Sequence, residues 1–200
     1  MSQNTELLNS LKEQQQYYNE RADEYDEWWN FSGRFDQGDS IRNEALLNRE
    51  GFFNYFTQIT DSKYYEDNQK IKVLELAPGT GNFTKFFLNE KFDLHCEEGS
   101  IEMINVLKKK FADLIEKNSF SISQTDLFSE EFNPAPNSYD IVFMGFFVSH
   151  VPPSLFESFF GKCRDALKPN GRIFFLDSYY HTNYEFKNHE TRKNNIRLDD

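Results

Sequence analysis

The middle of the chain alternates short apolar runs with amphipathic segments. Apolar residues at helical spacing predict helices, most clearly from Pro153 to Lys168 and from Ser100 onward. These helices fill the gaps between five predicted strands, at Ile71–Leu76, Phe92–Glu97, Ser119–Ser123, Tyr139–Phe146 and Gly171–Asp177. Because alternating strands and helices are typical of a parallel sheet covered on both faces, we predict a doubly wound, three-layer α/β/α fold with a mostly parallel sheet.

The N-terminal part of the chain has a different character. Residues 1–40 contain nine acidic residues against three basic ones, with three tyrosines and two tryptophans interleaved. We interpret this segment as helix and loop that lie over a site as a lid. A polar stretch over residues 60–70 then forms a loop or linker into the first strand.

Charge and composition exclude several classes of function. The 200-residue chain has a formal net charge of −11 and no dense run of Lys and Arg, which disfavours tight binding to nucleic acid. No window reaches the roughly 20 apolar residues of a membrane span, and residues 1–16 lack a signal-peptide core, so we expect a soluble, cytoplasmic protein. The two cysteines and four histidines do not cluster, so we expect neither a disulfide framework nor a metal site.

The first strand leads into a glycine turn, in the sequence VLELAPGTGNFTKF. Gly79 and Gly81 allow a ligand to approach the backbone closely. Thr84 stands where a dinucleotide fingerprint needs Gly or Ala, and the Gly-Lys-Ser/Thr of a phosphate loop is absent. Since a carboxylate at Glu75 would repel a pyrophosphate and attract an ammonium or sulfonium, we predict a ligand with positive charge.

Acidic residues also follow the next two predicted strands. Glu98 lies 17 residues beyond Gly81, close to the roughly 20-residue offset at which an acid accepts hydrogen bonds from ribose hydroxyls. Asp126 follows the third strand and can accept a hydrogen bond from an exocyclic adenine amine. The carboxyl ends of parallel strands face one crevice, so the ligand is predicted to contain a nucleoside.

These motifs, in this order, resemble those of class I S-adenosylmethionine-dependent methyltransferases. The matching segments are Glu75–Gly81, Glu98–Met103, Asp126–Leu127, Ser138–Val142 and Leu167–Arg172, and Tyr17–Asp26 resembles the cofactor-covering segment of bacterial small-molecule members. The resemblance extends from about Tyr17 to Asp200. It implies a Rossmann-like fold, S-adenosyl-L-methionine as the cofactor and a small-molecule methyl acceptor.

The resemblance also implies cofactor contacts. Four residues, Glu75, Ala77, Gly79 and Gly81, would surround the methionine part. Glu98 would hold the ribose hydroxyls, Met103 would pack on adenine, and Asp126 with Leu127 would recognise the adenine amine edge. Met144 and Gly145 would face the cofactor, and Tyr17 and Tyr25 would close over it. The chain departs from the family pattern at Ala77, where many members have glycine, and at Glu98, where aspartate is commoner.

Transfer of a methyl group needs mainly positioning, because an acceptor held about 3–3.5 Å from the methyl and in line with it reacts without a protein nucleophile. A base helps when the acceptor is protonated. His150 follows the fourth strand and titrates near neutrality, so we predict it as the catalytic base; alternatively, it shapes the pocket or caps a turn. Asp177, Tyr179, Tyr180 and His181 are expected to border the acceptor site.

The family's sheet usually closes with an antiparallel hairpin. Residues Thr191–Asp200 resemble the first arm of that hairpin, and we expect the closing strand to be missing, which would leave an unpaired edge beside Arg172–Leu176. The predicted organisation is a single domain over 1–200. It consists of a helical cap and linker (1–68), a cofactor-binding core (69–182) and a partial hairpin (183–200).

Two other functions are compatible with these patterns. The first is a non-catalytic S-adenosylmethionine-binding protein without a productive acceptor site. The second, which the failed dinucleotide fingerprint disfavours, is an NAD-dependent oxidoreductase. The acceptor atom could be oxygen, nitrogen or carbon.

Overall fold

A computed structural model of the chain describes residues 3–61 and 69–177. Its five strands are hydrogen-bonded in the order β3-β2-β1-β4-β5, and each adjacent pair is parallel. The strands are β1 (Ile71–Leu76), β2 (Phe92–Glu98), β3 (Ser119–Gln124), β4 (Tyr139–Gly145) and β5 (Leu167–Leu176). The order reverses between β1 and β4, which opens a crevice at their carboxyl ends.

Seven α-helices accompany the sheet in the described residues. The cap consists of α1 (Gln3–Arg21), α2 (Tyr25–Trp29) and α3 (Asp39–Thr60). The core contains α4 (Thr84–Phe87), α5 (Ile101–Lys110), α6 (Ala112–Lys117) and α7 (Pro153–Ala166). In that part of the chain no helix combines the length and apolar character needed to cross a membrane.

The alternation of side chains along β1 separates two apolar layers. Val73 faces a cluster that includes Phe56 of α3 and Leu107 of α5, whereas Leu74 faces a cluster that includes Phe159 of α7. Helices therefore cover both faces of the sheet, because successive residues of a strand point to opposite sides. The predicted three-layer, doubly wound Rossmann-like fold is confirmed.

Three details of the predicted elements are wrong. The helix that begins after Ser100 is two helices, because Phe111 has φ −119° and ψ 23° and interrupts the first. The segment 125–138, which is fully described, contains no helix; its Phe132 instead packs on the ring of Phe159. Strand β5 begins at Leu167 and not at Gly171, with an irregular register before Ile141 pairs with Arg172.

The predicted partial hairpin over 183–200 lies outside the described residues, as do Tyr179, Tyr180 and His181. The division of the chain into cap, core and hairpin stays a prediction. Asp177 is described, and its carboxylate accepts a hydrogen bond from the backbone N–H of Ser149 at 2.8 Å. This contact fixes the turn that carries His150.

Candidate functional site

A cavity lies beyond the carboxyl ends of the strands and beneath α1. Its floor comes from the segments that follow β1 to β4: Ala77, Gly79, Glu98, Gly99, Ser100, Met103, Asp126, Leu127, Phe128, Gly145, Phe146, Phe147 and His150. Its roof comes from the cap: Leu8, Leu11, Lys12, Gln14, Gln15, Tyr18 and Tyr25. The cavity therefore occupies the crevice where sheets of this topology bind ligands.

Most of the residues singled out from the sequence meet in this cavity. Nine line it: Tyr25, Ala77, Gly79, Glu98, Met103, Asp126, Leu127, Gly145 and His150. Four do not line it: Tyr17, Glu75, Gly81 and Met144. Of these four, Met144 is fully buried against the α7 side of the sheet, and the hydroxyl of Tyr17 accepts a hydrogen bond from Arg21.

The glycine turn has an unusual backbone, with positive φ at Ala77 (52°), Gly79 (58°) and Gly81 (86°). Gly79 borders open space, so a ligand can approach its backbone. At Gly81 a Cβ would lie 2.7 Å from Cε2 of Phe111, so this glycine permits the turn to pack closely on α5. Ala77 adopts the left-handed conformation despite its Cβ, and such local strain is concentrated at functional sites.

Glu98 is the carboxylate most firmly held in the floor. Its Oε2 accepts a hydrogen bond from the N–H of Gly79 and its Oε1 one from the N–H of Ser100, both at 2.9 Å. Burial raises the pKa of Glu98, while backbone hydrogen bonds from Ser100, Gly79 and Gly99 oppose this shift. The side chain therefore connects the glycine turn to the end of β2 and presents a fixed acceptor to the cavity.

Asp126 and Met103 also line the floor of the cavity. The Oδ1 of Asp126 accepts a hydrogen bond from the N–H of Phe128 at 2.9 Å, which closes a turn directly after β3. Met103 is 2% exposed, and its N–H is bonded to the hydroxyl of Ser100, the N-cap of α5. The cavity is thus lined by both a carboxylate and an apolar thioether, groups that suit the polar edge and the apolar face of a ring.

Glu75 lies beneath the glycine turn and not in the cavity wall. It shares a face of β1 with Val73 and is 1% exposed, and one of its oxygens accepts a hydrogen bond from the thiol of Cys96 at 3.5 Å. Burial raises the pKa of Glu75 to about 7, against opposing effects of Thr84 and Cys96. Its predicted place beside a ligand ammonium therefore stays a prediction.

The raised pKa of Glu75 predicts a pH-dependent stability. The folded protein holds this proton more tightly than the unfolded chain, whose ordinary pKa is 4.5. The stabilisation is complete below pH 4.5 and is lost as the pH rises to about 7. The neutral glutamine of Glu75→Gln does not have this dependence. As the pH rises from 4.5 to about 7, the free energy of unfolding of Glu75→Gln should therefore increase relative to that of wild type by up to about 3 kcal/mol, at ~1.4 kcal/mol per pKa unit.

Urea unfolding of both proteins at a series of pH values measures this difference. Glu116→Gln, at an exposed position of α6, is the matched control for the same chemical change, and the difference between Glu75→Gln and wild type should change with pH more than the control's difference does. A difference between Glu75→Gln and wild type that stays constant from pH 4.5 to 7 would contradict the assignment.

Helix α1 is bonded to the floor through polar side chains. Gln14 Nε2 lies 2.9 Å from Nδ1 of His150, and the hydroxyl of Tyr18 lies 2.9 Å from its Nε2. Gln15 Nε2 donates to the carbonyl of Gly99 at 2.8 Å. The segment predicted as a lid thus covers the cavity and contacts the predicted base.

Sequence reasoning missed Tyr18, Gln14 and Gln15 and selected Tyr17. A signal for the correct face existed, since Leu8, Leu11, Gln15 and Tyr18 recur at intervals of three and four residues. Burial raises the pKa of Tyr18, with smaller contributions from Tyr25 and Tyr17, so its hydroxyl stays protonated at neutral pH.

Aromatic side chains form the wall after β4. Phe146 has φ 56°, and Phe147 stacks on Phe128 with ring centroids 5.8 Å apart. Trp29 of α2 packs on the rings of Phe83 and Phe146 at 5.3 and 5.5 Å. A Cβ at Gly145 would lie 2.4 Å from Cδ2 of Phe83, so this wall requires glycine there.

The site as a whole combines a glycine turn with positive φ angles, fixed acidic acceptors and an aromatic wall. The described residues contain no group of three or more His, Cys, Asp or Glu side chains that could hold a metal ion. The fixed carboxylates can accept hydrogen bonds from a ligand that carries hydroxyl or amine donors.

Several known proteins are similar to this chain over part of its length. The N-terminal Xaa-Pro-Lys N-methyltransferase 1 of Ailuropoda melanoleuca is 28% identical over 110 residues, covering 53% of this chain and 47% of that protein. The chain therefore spans about half the length of this curated relative. Among solved structures, DhpI in complex with SAM and HEP is 28% identical with a TM-score of 0.60, covering 86% of this chain and 67% of that one. DhpI in complex with SAH is 25% identical with a TM-score of 0.53, covering 84% and 68%.

The family match coincides with the site. A family model described as a methyltransferase domain matches residues 74–173, which is 100 of the 200 residues. The match begins in β1 and ends in β5, so it contains every residue of the cavity floor. The chain belongs to the methyltransferase domain family.

Proposed function

We propose that this protein is an S-adenosylmethionine-dependent methyltransferase that transfers a methyl group to a small-molecule acceptor by in-line displacement. The observation that carries the proposal is the pair of acids, Glu98 and Asp126, that face one cavity with the open backbone of Gly79. Membership of the methyltransferase domain family and the similarity to DhpI complexes with SAM and SAH support it.

The residues of the floor fit this cofactor. Gly79 and Ala77 offer backbone to the methionine part, and Glu98 offers a fixed carboxylate to the ribose hydroxyls. Asp126, Leu127 and Met103 would enclose adenine, and the backbone of Gly145 would face the cofactor. We assign Glu75, Gly81 and Met144 to positions behind this lining, and Tyr17 and Tyr25 to the covering cap. Bound there, the cofactor supplies an electrophilic methyl group on a sulfonium.

A small molecule fits the acceptor site better than a polypeptide does. Hydrogen bonds through the side chains of Gln14, Gln15 and Tyr18 join α1 to the floor. A small acceptor near His150 needs to displace only Tyr18, whereas a polypeptide would have to break more of these bonds to pass beneath α1. The similarity to DhpI covers 86% of this chain and so extends into the cap. We therefore infer an acceptor enclosed between α1 and the aromatic wall.

Binding and turnover test the proposal in two steps. Calorimetry should show saturable binding of S-adenosylhomocysteine and none of NAD. A methyl-transfer assay with S-adenosylmethionine should then methylate a member of a panel of small alcohols, amines and acids, and leave Xaa-Pro-Lys peptides unmodified. Binding of S-adenosylhomocysteine without any turnover would favour the non-catalytic alternative, and binding of NAD alone would refute the proposal.

We propose His150 as the base that receives the acceptor proton. The Nε2 of Gln14 donates to Nδ1 of His150, so the neutral ring carries its hydrogen on Nε2, 2.9 Å from the hydroxyl of Tyr18. To receive a proton at Nε2, the ring must adopt the other tautomer, with the Gln14 amide turned so that its oxygen accepts from Nδ1–H, and the acceptor would take the place of Tyr18. His150→Asn keeps a polar side chain but removes the base, and kcat should fall about 100-fold, the usual scale of such catalysis. The affinity for S-adenosylhomocysteine should change less than threefold, because the positions assigned to the cofactor are elsewhere.

The pH profile of kcat separates this role from a structural one. Wild type should lose activity on the acidic side with one ionisation that is absent from His150→Asn. Equal kcat in the two proteins would refute the base assignment and favour a histidine that only joins α1 to the floor.

A further inference from the structure

Asp26 joins the cap to the glycine turn and to α5. Its Oδ1 accepts a hydrogen bond from the hydroxyl of Thr80 at 2.7 Å, and its Oδ2 accepts one from Nζ of Lys110 at 2.6 Å. The same Nζ donates to the carbonyl of Thr80 at 3.3 Å and to Oδ1 of Asn82 at 3.2 Å. Helical spacing along α5 could not reveal these contacts of Lys110, because their partners lie in other segments of the chain.

The turn that Asp26 reaches is the one that borders the cavity. Thr80 is fully buried between Gly79 and Gly81. On one side the N–H of Gly79 donates to Glu98, and on the other Gly81 packs closely on α5. The contacts of Thr80 with Asp26 and Lys110 fix the turn from a third direction.

The segment that carries Asp26 also forms part of the roof. Tyr25 precedes Asp26 and lines the cavity, with its ring centroid 6.3 Å from that of Tyr18. Helix α2 has only five residues, too few to be stable alone, so its position depends on tertiary contacts. Trp29 holds its C-terminal end on Phe83, and Asp26 holds the end next to Tyr25.

We propose that Asp26 and Lys110 are positioning residues for cofactor binding. The pair fastens the part of the roof that carries Tyr25 to the glycine turn in the floor, so that both sides of the cavity adopt their binding geometry together. This inference rests on the proposed function, since it takes S-adenosylmethionine as the ligand of that geometry.

The expected effect is moderate. The side chains of Asp26 and Lys110 retain 33% and 29% of their exposure, so solvent and salt screen part of the attraction. Ion pairs at protein surfaces contribute up to about 1 kcal/mol, which corresponds to about fivefold in an equilibrium. Loss of the pair should therefore weaken S-adenosylhomocysteine binding about fivefold in low salt.

Calorimetry with S-adenosylhomocysteine on the full chain tests the pair. Lys110→Met removes the charge and should weaken binding about fivefold, whereas Lys110→Arg keeps it and should restore most of the affinity. Asp26→Asn, which retains an acceptor for Thr80, should resemble Lys110→Met. Lys109→Met, at an exposed neighbouring position, is the matched control and should bind like wild type. The ratio of wild-type to Lys110→Met affinity should shrink as KCl is raised, which simple loss of packing would not cause.

Intrinsic fluorescence gives a readout that does not need the ligand. The chain's two tryptophans, Trp28 and Trp29, both lie in α2, so acrylamide should quench their emission more strongly in Lys110→Met than in Lys109→Met. Wild-type affinity together with unchanged quenching in Lys110→Met would overturn the inference. Failure of wild type to bind S-adenosylhomocysteine would instead refute the proposed function, and the quenching comparison would still decide whether the pair holds α2.

Discussion

Replacing Glu98 with alanine should weaken S-adenosylhomocysteine binding about 100-fold. The carboxylate is 8% exposed and accepts hydrogen bonds from the N–H groups of Gly79 and Ser100. Its removal takes away the acceptor that we assign to the ribose hydroxyls and leaves two backbone donors without their partner. Losses of this kind at buried charged acceptors amount to about 1.5–3 kcal/mol, and the upper end corresponds to the 100-fold change.

Glu97→Ala is the matched control for this variant. Glu97 precedes Glu98 in β2 and is similarly buried at 9% exposure, but its carboxylate bonds to His95 and Thr125 and does not line the cavity. Calorimetry at a temperature where both variants are folded should show near wild-type affinity for Glu97→Ala. Equal affinities of the two variants would remove Glu98 from the binding site.

Replacing Gly81 with alanine should destabilise the fold by about 3 kcal/mol, from overpacking and left-handed strain together. Its φ of 86° is unfavourable for alanine, and the new Cβ would lie 2.7 Å from Phe111 and 3.0 Å from Leu107. Both neighbours are themselves buried in the core, so they cannot move aside without disturbing other contacts. Urea unfolding measures the free-energy change.

Gly161→Ala, which makes the same chemical change, should stabilise the protein where Gly81→Ala destabilises it. Gly161 lies inside α7, and a Cβ there would meet nothing within 4 Å. Alanine should therefore stabilise the helix by about 0.5–1 kcal/mol. If Gly81→Ala were as stable as wild type, the close approach of the glycine turn to α5 would be in error.

The sheet and the end-of-strand acids were predictable because they depend on local patterns. The spacing of apolar residues along the chain predicted the five strands and α7. The carboxyl ends of parallel strands meet at one edge, so Glu98 and Asp126 could be assigned to a common crevice before any contact was known. The turn residues Gly79 and Gly81 were recognised for the same reason, since their conformations are local.

The different structural roles of Gly79 and Gly81 could not be predicted, because they depend on the residues that surround each glycine. Gly79 borders open space and Gly81 packs on α5, although the two belong to one short motif. Likewise Tyr18 lines the cavity and its neighbour Tyr17 does not, because the rotation of α1 about its axis decides which face of the helix faces the cavity. Local sequence carries the periodicity of a helix but not its rotation against the sheet.

The amino-acid sequence by itself determined the doubly wound architecture, the glycine turn and the acids at the strand ends, because each follows from residue spacing and from the polarity of parallel strands. Only the tertiary structure decided that Glu75 is buried beneath the turn, that Gln14 and Tyr18 reach His150, and that Lys110 pairs with Asp26. The contacts of Gln14 and Tyr18 with His150 and of Lys110 with Asp26 join residues that are 84 to 136 positions apart. They form because the cap packs on the core, and no periodic pattern in the sequence indicates them.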